Sequence, residues 1–217
     1  MLYRVLKTSV YFRLFSISWL VVSVGALVAT AAQKPIRHVD IHADGGYGAP
    51  GTLDELWERA AVVIDGRVVD VRPANETFTP TVAIPAGAPS QPVTRAQTDY
   101  VIEVRRVLKS DGVVTSDTAT VTVRRSGGRV DRGEYIAEYG DSTFAKFKNR
   151  GRYVLFLEPA KGKQPSGPFY LPVVGADSAF EMLGDRVVPL GRAIASQQLA
   201  KLGVQQFVAT LAKKGGK

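Results

Sequence analysis

The sequence predicts a mainly β protein: a small closed β-barrel carrying a short N-terminal helix and a C-terminal helix. Three observations lead there. Ala119, Val121 and Val123 alternate with Thr120, Thr122 and Arg124, the period of two that a strand with one buried and one wet face requires. In Thr98–Lys109, Tyr100, Ile102 and Val104 share one parity, but Val107 breaks it after Arg105 and Arg106, as a β-bulge would. A bulge bends a strand, and bent strands suit closure. Finally, Tyr153 to Leu157 is apolar without a break, which marks a central strand buried on both faces.

Taken in order, the chain opens with the signature of an export signal. Arg4, Lys7 and Arg13 form a basic head, no charge occurs from Leu14 to Gln33, and Ala29-Thr30-Ala31 or Thr30-Ala31-Ala32 supplies a small-residue cleavage site. Residues 1–32 are therefore expected to be a signal peptide, and the rest periplasmic or extracellular. The alternative is an uncleaved membrane anchor, since the uncharged run is long enough to span. Of the 28 Lys plus Arg, three lie in this signal, leaving 25 against 20 Asp plus Glu, a net +5. Such mild, scattered charge implies a solvated surface, or at most an anionic partner. No cysteine is present, so no disulfide framework exists and the core alone must stabilise the exported domain.

Residues 33–51 read as a linker closed by Gly45, Gly46, Gly48, Pro50 and Gly51. They contain the chain's two histidines, in His38-Val39-Asp40-Ile41-His42. Were this piece extended, His38, Asp40 and His42 would project to one side, and two imidazoles with a carboxylate can ligate a transition metal. No other cofactor is implied. Thr52-Leu53-Asp54-Glu55 has the form of a capping box, and Leu53, Leu56, Trp57 and Ala60 fall on one helical face behind it. Val62, Val63, Ile64, Val68, Val69 and Val71 predict a strand interrupted at Asp65-Gly66. Arg72 to Gln97 holds five prolines and reads as a long loop without a ladder, with Asn75-Glu76-Thr77 as a formal glycosylation motif.

Beyond the hairpin, Glu134 to Tyr139 and Phe169 to Val174 are expected strands, and Ala179–Leu183 should pair with Arg186–Leu190 about Gly184-Asp185. Residues 52–190 thus form the barrel domain. In 191–217, Val204, Phe207, Val208 and Leu211 mark an amphipathic helical tail. Between these, Phe144, Phe147 and Tyr153 interleave with Lys146, Lys148, Arg150 and Arg152. Together with Arg124 and Arg125, the cations Lys146, Lys148 and Arg150 form a candidate ligand-binding face for an anionic polymer. The competing expectation is that the aromatics plug the barrel end while the cations snorkel outward.

The segments Trp57 to Val68, Tyr100 to Lys109 and Gly151 to Leu157 resemble a broad set of exported bacterial proteins, which in turn look like the OB-fold-type barrel of the netrin and tissue-inhibitor-of-metalloproteinases modules. The resemblance covers about Leu53 to Leu190. Those inhibitors act through an N-terminal cysteine on a protease zinc, and this chain has no cysteine, so that activity does not transfer. The resemblance implies a non-enzymatic binding module whose partner is an envelope or extracellular protein or polymer. Nucleic acid is a poor fit to an exported chain. A metal-dependent hydrolase at His38, Asp40 and His42 is the remaining alternative; both histidines lie outside the barrel stretch, so none can serve a serine in its core.

Overall fold

The computed structural model describes residues 33–41, 50–78, 93–141, 144–161 and 168–216. The stretch read as an export signal (residues 1–32), His42 and the 79–92 part of the long loop lie outside these residues. The chain divides into two compact units, Met1–Pro35 and Ile36–Lys217, and all described helices and strands belong to the second. Among the described residues no helix is long and apolar enough to cross a membrane.

Five strands close a barrel: β2 (Val62–Pro73), β5 (Gln97–Lys109), β6 (Thr120–Ser126), β9 (Arg152–Pro159) and β10 (Tyr170–Pro172). The ring runs β2-β5-β6-β10-β9 and returns to β2. β10 closes it, pairing parallel with β6 through Tyr170 and Val123 and antiparallel with β9 from Tyr170–Pro159 to Pro172–Leu157. The fourth and fifth barrel strands therefore exchange places relative to chain order, the Greek-key crossing of an OB-type barrel. β11 (Ala179–Leu183) uses the rest of the same β9 edge, and β12 (Arg186–Pro189) pairs with β11 around Gly184, whose φ is 60°.

Bulges bend the long strands where the sequence breaks parity. Asp65 pairs with Arg106 but Gly66 with Val104, so Arg105 is the extra residue; further shifts fall at Leu108 and at Val69. Gly66 is required at this bend, because a Cβ there would lie 2.5 Å from Ile102 Cγ2 and 2.7 Å from the Glu103 carbonyl oxygen.

β9 shows why its sequence is unbroken apolar. Tyr153, Leu155 and Leu157 enter the barrel beside Val62, Ile64, Ile102, Val121 and Val123, whereas Val154 and Phe156 face a second core outside it. That second core is capped by helices α1 (Leu53–Arg59) and α3 (Val204–Gly215), with α2 (Ile194–Leu199) before α3. Each fully buried Leu or Phe contributes about 1.5–3 kcal/mol through removal from water. Helices α2 and α3 thus contribute Leu199, Val204, Phe207, Val208 and Leu211 to this core. Phe207 and Leu211 are fully buried, and Gly215 abuts the Leu108 carbonyl. The helix is amphipathic because its apolar stripe completes this core. At α1 the capping box is altered: the Glu55 N–H donates to Thr52 Oγ1 (3.2 Å), but the Glu55 carboxylate accepts from the Gly51 N–H (2.7 Å) instead of that of Thr52.

Two readings of the sequence are corrected. Part of the stretch read as a linker is a strand, β1 (Ile36–Ile41), paired in parallel with β8 (Ile136–Asp141), which also pairs with β7 (Gly128–Asp131). Its hydrogen bonds satisfy an edge of β8 that would otherwise stand open, a long-range effect invisible in local periodicity. The proline-rich loop does hold a ladder at its base, between β3 (Glu76–Phe78) and β4 (Val93–Arg95). Asn75 fixes that base, accepting from the Gln97 N–H (3.2 Å) and donating to the Arg129 carbonyl (2.7 Å).

The β5–β6 turn is organised by Asp111. Its carboxylate accepts the N–H groups of Val113 and Val114 (2.9 Å each) and the Tyr170 hydroxyl (3.0 Å). Burial, then the hydrogen bond and the charge of Asp111, push the Tyr170 hydroxyl up to about 12 from 10.0. The folded chain therefore keeps a proton that the unfolded chain loses, and stability must fall as pH rises through that interval. We expect Tyr170→Phe to remove this component, flattening the pH dependence of the urea midpoint between about 10 and 12. An unchanged slope would mean that Tyr170 titrates alike in both states.

Candidate binding groove

β6 carries the two adjacent arginines of the sequence, and the strand's period of two sends them to opposite sides. Arg124 faces outward. Asp99 stands directly across the β5–β6 ladder and takes a bidentate pair from it, at 2.6 Å to Nε and 2.8 Å to Nη2. The guanidinium also lies 3.9 Å from the centre of the Phe169 ring. Hydrogen bonding to Asp99 raises the pKa of Arg124 against the opposing effect of burial, so the cation is held charged.

Arg124 and Phe169 line an open groove of about 710 Å³. One wall comes from the base of the connection between β2 and β5, with Glu76, Arg95 and Gln97; the other comes from the end of β9 and the start of its connection to β10, with Glu158 and Lys161. The ladder bond from the Ala160 N–H to the Phe169 carbonyl (3.0 Å) holds the second connection at its root. Leu171 and Val173 give the groove apolar surface, and Arg59 reaches it from the end of α1. Its lining carries four cations against two carboxylates, and Asp99 neutralises one of the four, which leaves a small excess of positive charge over an apolar base. Such a surface can hold a ligand that is partly anionic and partly apolar.

The five basic residues suggested by the sequence do not share one face. Arg125 is buried in the barrel end, donating to the carbonyls of Phe144 and Ala145 (2.7 Å each) and lying 3.3 Å from the Phe144 ring centre. Burial pulls its pKa down to about 10, against the favourable influence of nearby Tyr100, Asp141 and Tyr153. Lys146 pairs with Glu138 (2.5 Å) and Lys148 with the buried Glu181 (2.9 Å). Arg150 is exposed, in a turn where its φ is 62°. The interleaved aromatics pack against one another: Phe147 lies 4.8–5.6 Å from Tyr100, Phe144 and Tyr153. They plug the barrel end while the lysines reach outward to carboxylates, the second of the two expectations for this stretch.

At the other candidate site, β1 places His38 opposite Glu138, with Nδ1 4.0 Å from Oε2, and Asp40 opposite Gly140. His42 lies outside the described residues. Among the described residues no three of His, Cys, Asp and Glu come together as a metal would need.

Local sequence missed Glu76, Arg95, Gln97, Glu158, Lys161 and Phe169 as groove residues, and Asp99 as the partner of Arg124. The alternation in β6 held the signal for Arg124 alone, since it separates that residue from Arg125. Scans of the chain against protein-family models, curated proteins and solved structures find no match.

Proposed function

We propose that the chain is an exported, non-enzymatic binding module of the cell envelope or extracellular space, and that its ligand lies in the groove beside Arg124. The observation that carries this reading is the groove's position. It sits between the connections joining the first barrel strand to the second and the fourth to the fifth, with the second and third strands behind it. OB-type barrels take extended oligomeric ligands at that place. The resemblance to netrin-type modules, which bind partners and catalyse nothing, points the same way. The excess of Arg and Lys in the lining favours a polymer or protein segment bearing carboxylate, sulfate or phosphate groups.

The test is binding of the exported chain to a panel of envelope fractions and anionic polymers at low and high salt. Affinity should fall with added salt, because groove cations release counterions on binding. We expect the double change Arg95→Glu with Lys161→Glu to weaken binding about tenfold or more at low salt. Lys146→Glu with Lys148→Glu should leave it within about twofold. The reverse pattern would move the ligand to the barrel-end face.

A further inference from the structure

Gln97 stands in the wall of the groove with its side-chain oxygen unpaired: Oε1 is buried and accepts no hydrogen bond among the described residues. Its main chain is fully engaged, the N–H donating to Asn75 Oδ1 (3.2 Å) and the carbonyl accepting from the Ala74 N–H (2.9 Å). The strand is held while the amide is not. A buried acceptor without a donor is unfavourable, and a ligand that brings an O–H or N–H to it removes the penalty. Half a turn about the last side-chain bond exchanges Oε1 with Nε2, so the residue can offer either an acceptor or a donor. In the β5–β6 ladder Gln97 is opposite Ser126 and Asp99 opposite Arg124, which sets amide, carboxylate and guanidinium on one outward face.

The charge of the groove disfavours a densely charged polymer. Set against Glu76, Glu158 and Asp99, its four cations leave it close to neutral. Glu76 and Glu158 form no ion pair among the described residues. A chain with an anion on every unit would press like charge against both of them. A chain with sparse anions and many hydroxyls would instead donate to them. The barrel wall also suits an extended peptide poorly. All five barrel strands are paired on both sides, so the wall has no ladder edge to receive a peptide main chain. Phe169, Leu171 and Val173, spaced two apart through β10, form an apolar strip against which the C–H face of a sugar ring can lie.

We propose that the groove takes an acidic polysaccharide, a hydroxyl-rich chain with isolated carboxylates, and that Gln97 and Glu158 select it over other polyanions. This rests on the groove being the ligand site. The carboxylates of the ligand meet Arg95 and Lys161, ring hydroxyls donate to Glu158 and to Gln97 Oε1, and ring faces cover the apolar strip.

The experiment is calorimetric titration of the full-length chain, in an uncharged detergent at low salt, with polygalacturonate, polyglutamate, polyphosphate and dextran. Native chain should bind polygalacturonate at least tenfold more tightly than the other three. Gln97→Leu should weaken that binding about tenfold, since the hydroxyl loses its acceptor. Its urea midpoint should not fall, because an apolar side chain replaces an unpaired buried acceptor, so lost binding would not be lost folding. Glu158→Gln should narrow the preference for polygalacturonate over polyphosphate about threefold or more, by removing a hydroxyl acceptor and a repelling charge together. Tightest binding of polyglutamate or polyphosphate, weakened by Arg95→Glu with Lys161→Glu, would overturn the polysaccharide and keep the groove. Polygalacturonate binding unmoved by Gln97→Leu, or absent from the native chain, also overturns the proposal. Binding of every polymer unmoved by Arg95→Glu with Lys161→Glu would remove the groove itself as the site.

Discussion

Replacing Phe207 by alanine is expected to lower the unfolding free energy by about 3–5 kcal/mol in urea, the range for deleting a fully buried aromatic ring. Phe207 is fully buried, and its ring centre lies 5.2 Å from that of Phe180, which in turn lies 5.8 Å from Phe156. Trp57 extends the row from α1, 6.5 Å from Phe156 and edge-on to it. The ring therefore joins α3 to both β9 and β11, and its loss leaves a cavity among side chains fixed by strands that cannot close around it. Phe207→Leu should cost less, because most of the volume is retained. Were α3 a tail resting on the surface, either change would stay within about 0.5 kcal/mol. Urea midpoints for the two variants decide the matter.

Arg125→Ala is the second large effect, a loss of about 3 kcal/mol. The side chain ties the 144–148 segment to the barrel through two charge-assisted hydrogen bonds to main-chain carbonyls, and it supports the Phe144 ring. Removing it leaves the buried Phe144 carbonyl unpaired, at about 1–3 kcal/mol, besides the lost stacking. Arg125→Met should cost less, since it refills the space against the ring and removes a cation that burial disfavours. That disfavour has a pH signature. With the guanidinium held down to about 10 in the folded chain, the unfolded state binds more protons above that pH, so this group's contribution raises stability with rising pH there. The sign is opposite to that for Tyr170, and Arg125→Met should abolish it. A stable Arg125→Ala variant that had lost polymer binding would instead make Arg125 a ligand contact.

The barrel was legible because its strands carry their own patterns. The alternation in β6, the parity break at Arg105, the unbroken apolar run of β9 and the Gly184-Asp185 turn each report a local constraint, and each stands in the structure as read. The features that were not legible depend on partners distant in sequence. β1 exists because β8, a hundred residues later, needs a neighbour. The β3–β4 ladder survives in proline-rich sequence because its six residues contain no proline. α3 looked like an appendage because an amphipathic stripe does not say which core it completes.

The groove was less legible still. Basic residues near aromatics drew attention to Lys146, Lys148 and Arg150, but lysines beside carboxylates pair with them, and only the fold shows that Glu138 and Glu181 are within reach. Conversely, Glu76, Arg95, Glu158 and Lys161 are scattered over more than eighty residues and meet only because two barrel connections emerge side by side.

The most direct test of the binding account is hydrogen-exchange footprinting of the chain from Gln33 onward with the tightest ligand of the polymer panel. We expect slowed exchange at 74–76, 95–99, 158–161 and 169–171, with 144–150 unchanged. Protection confined to 144–150, or no protection under conditions where the ligand is bound, would contradict the assignment of the groove.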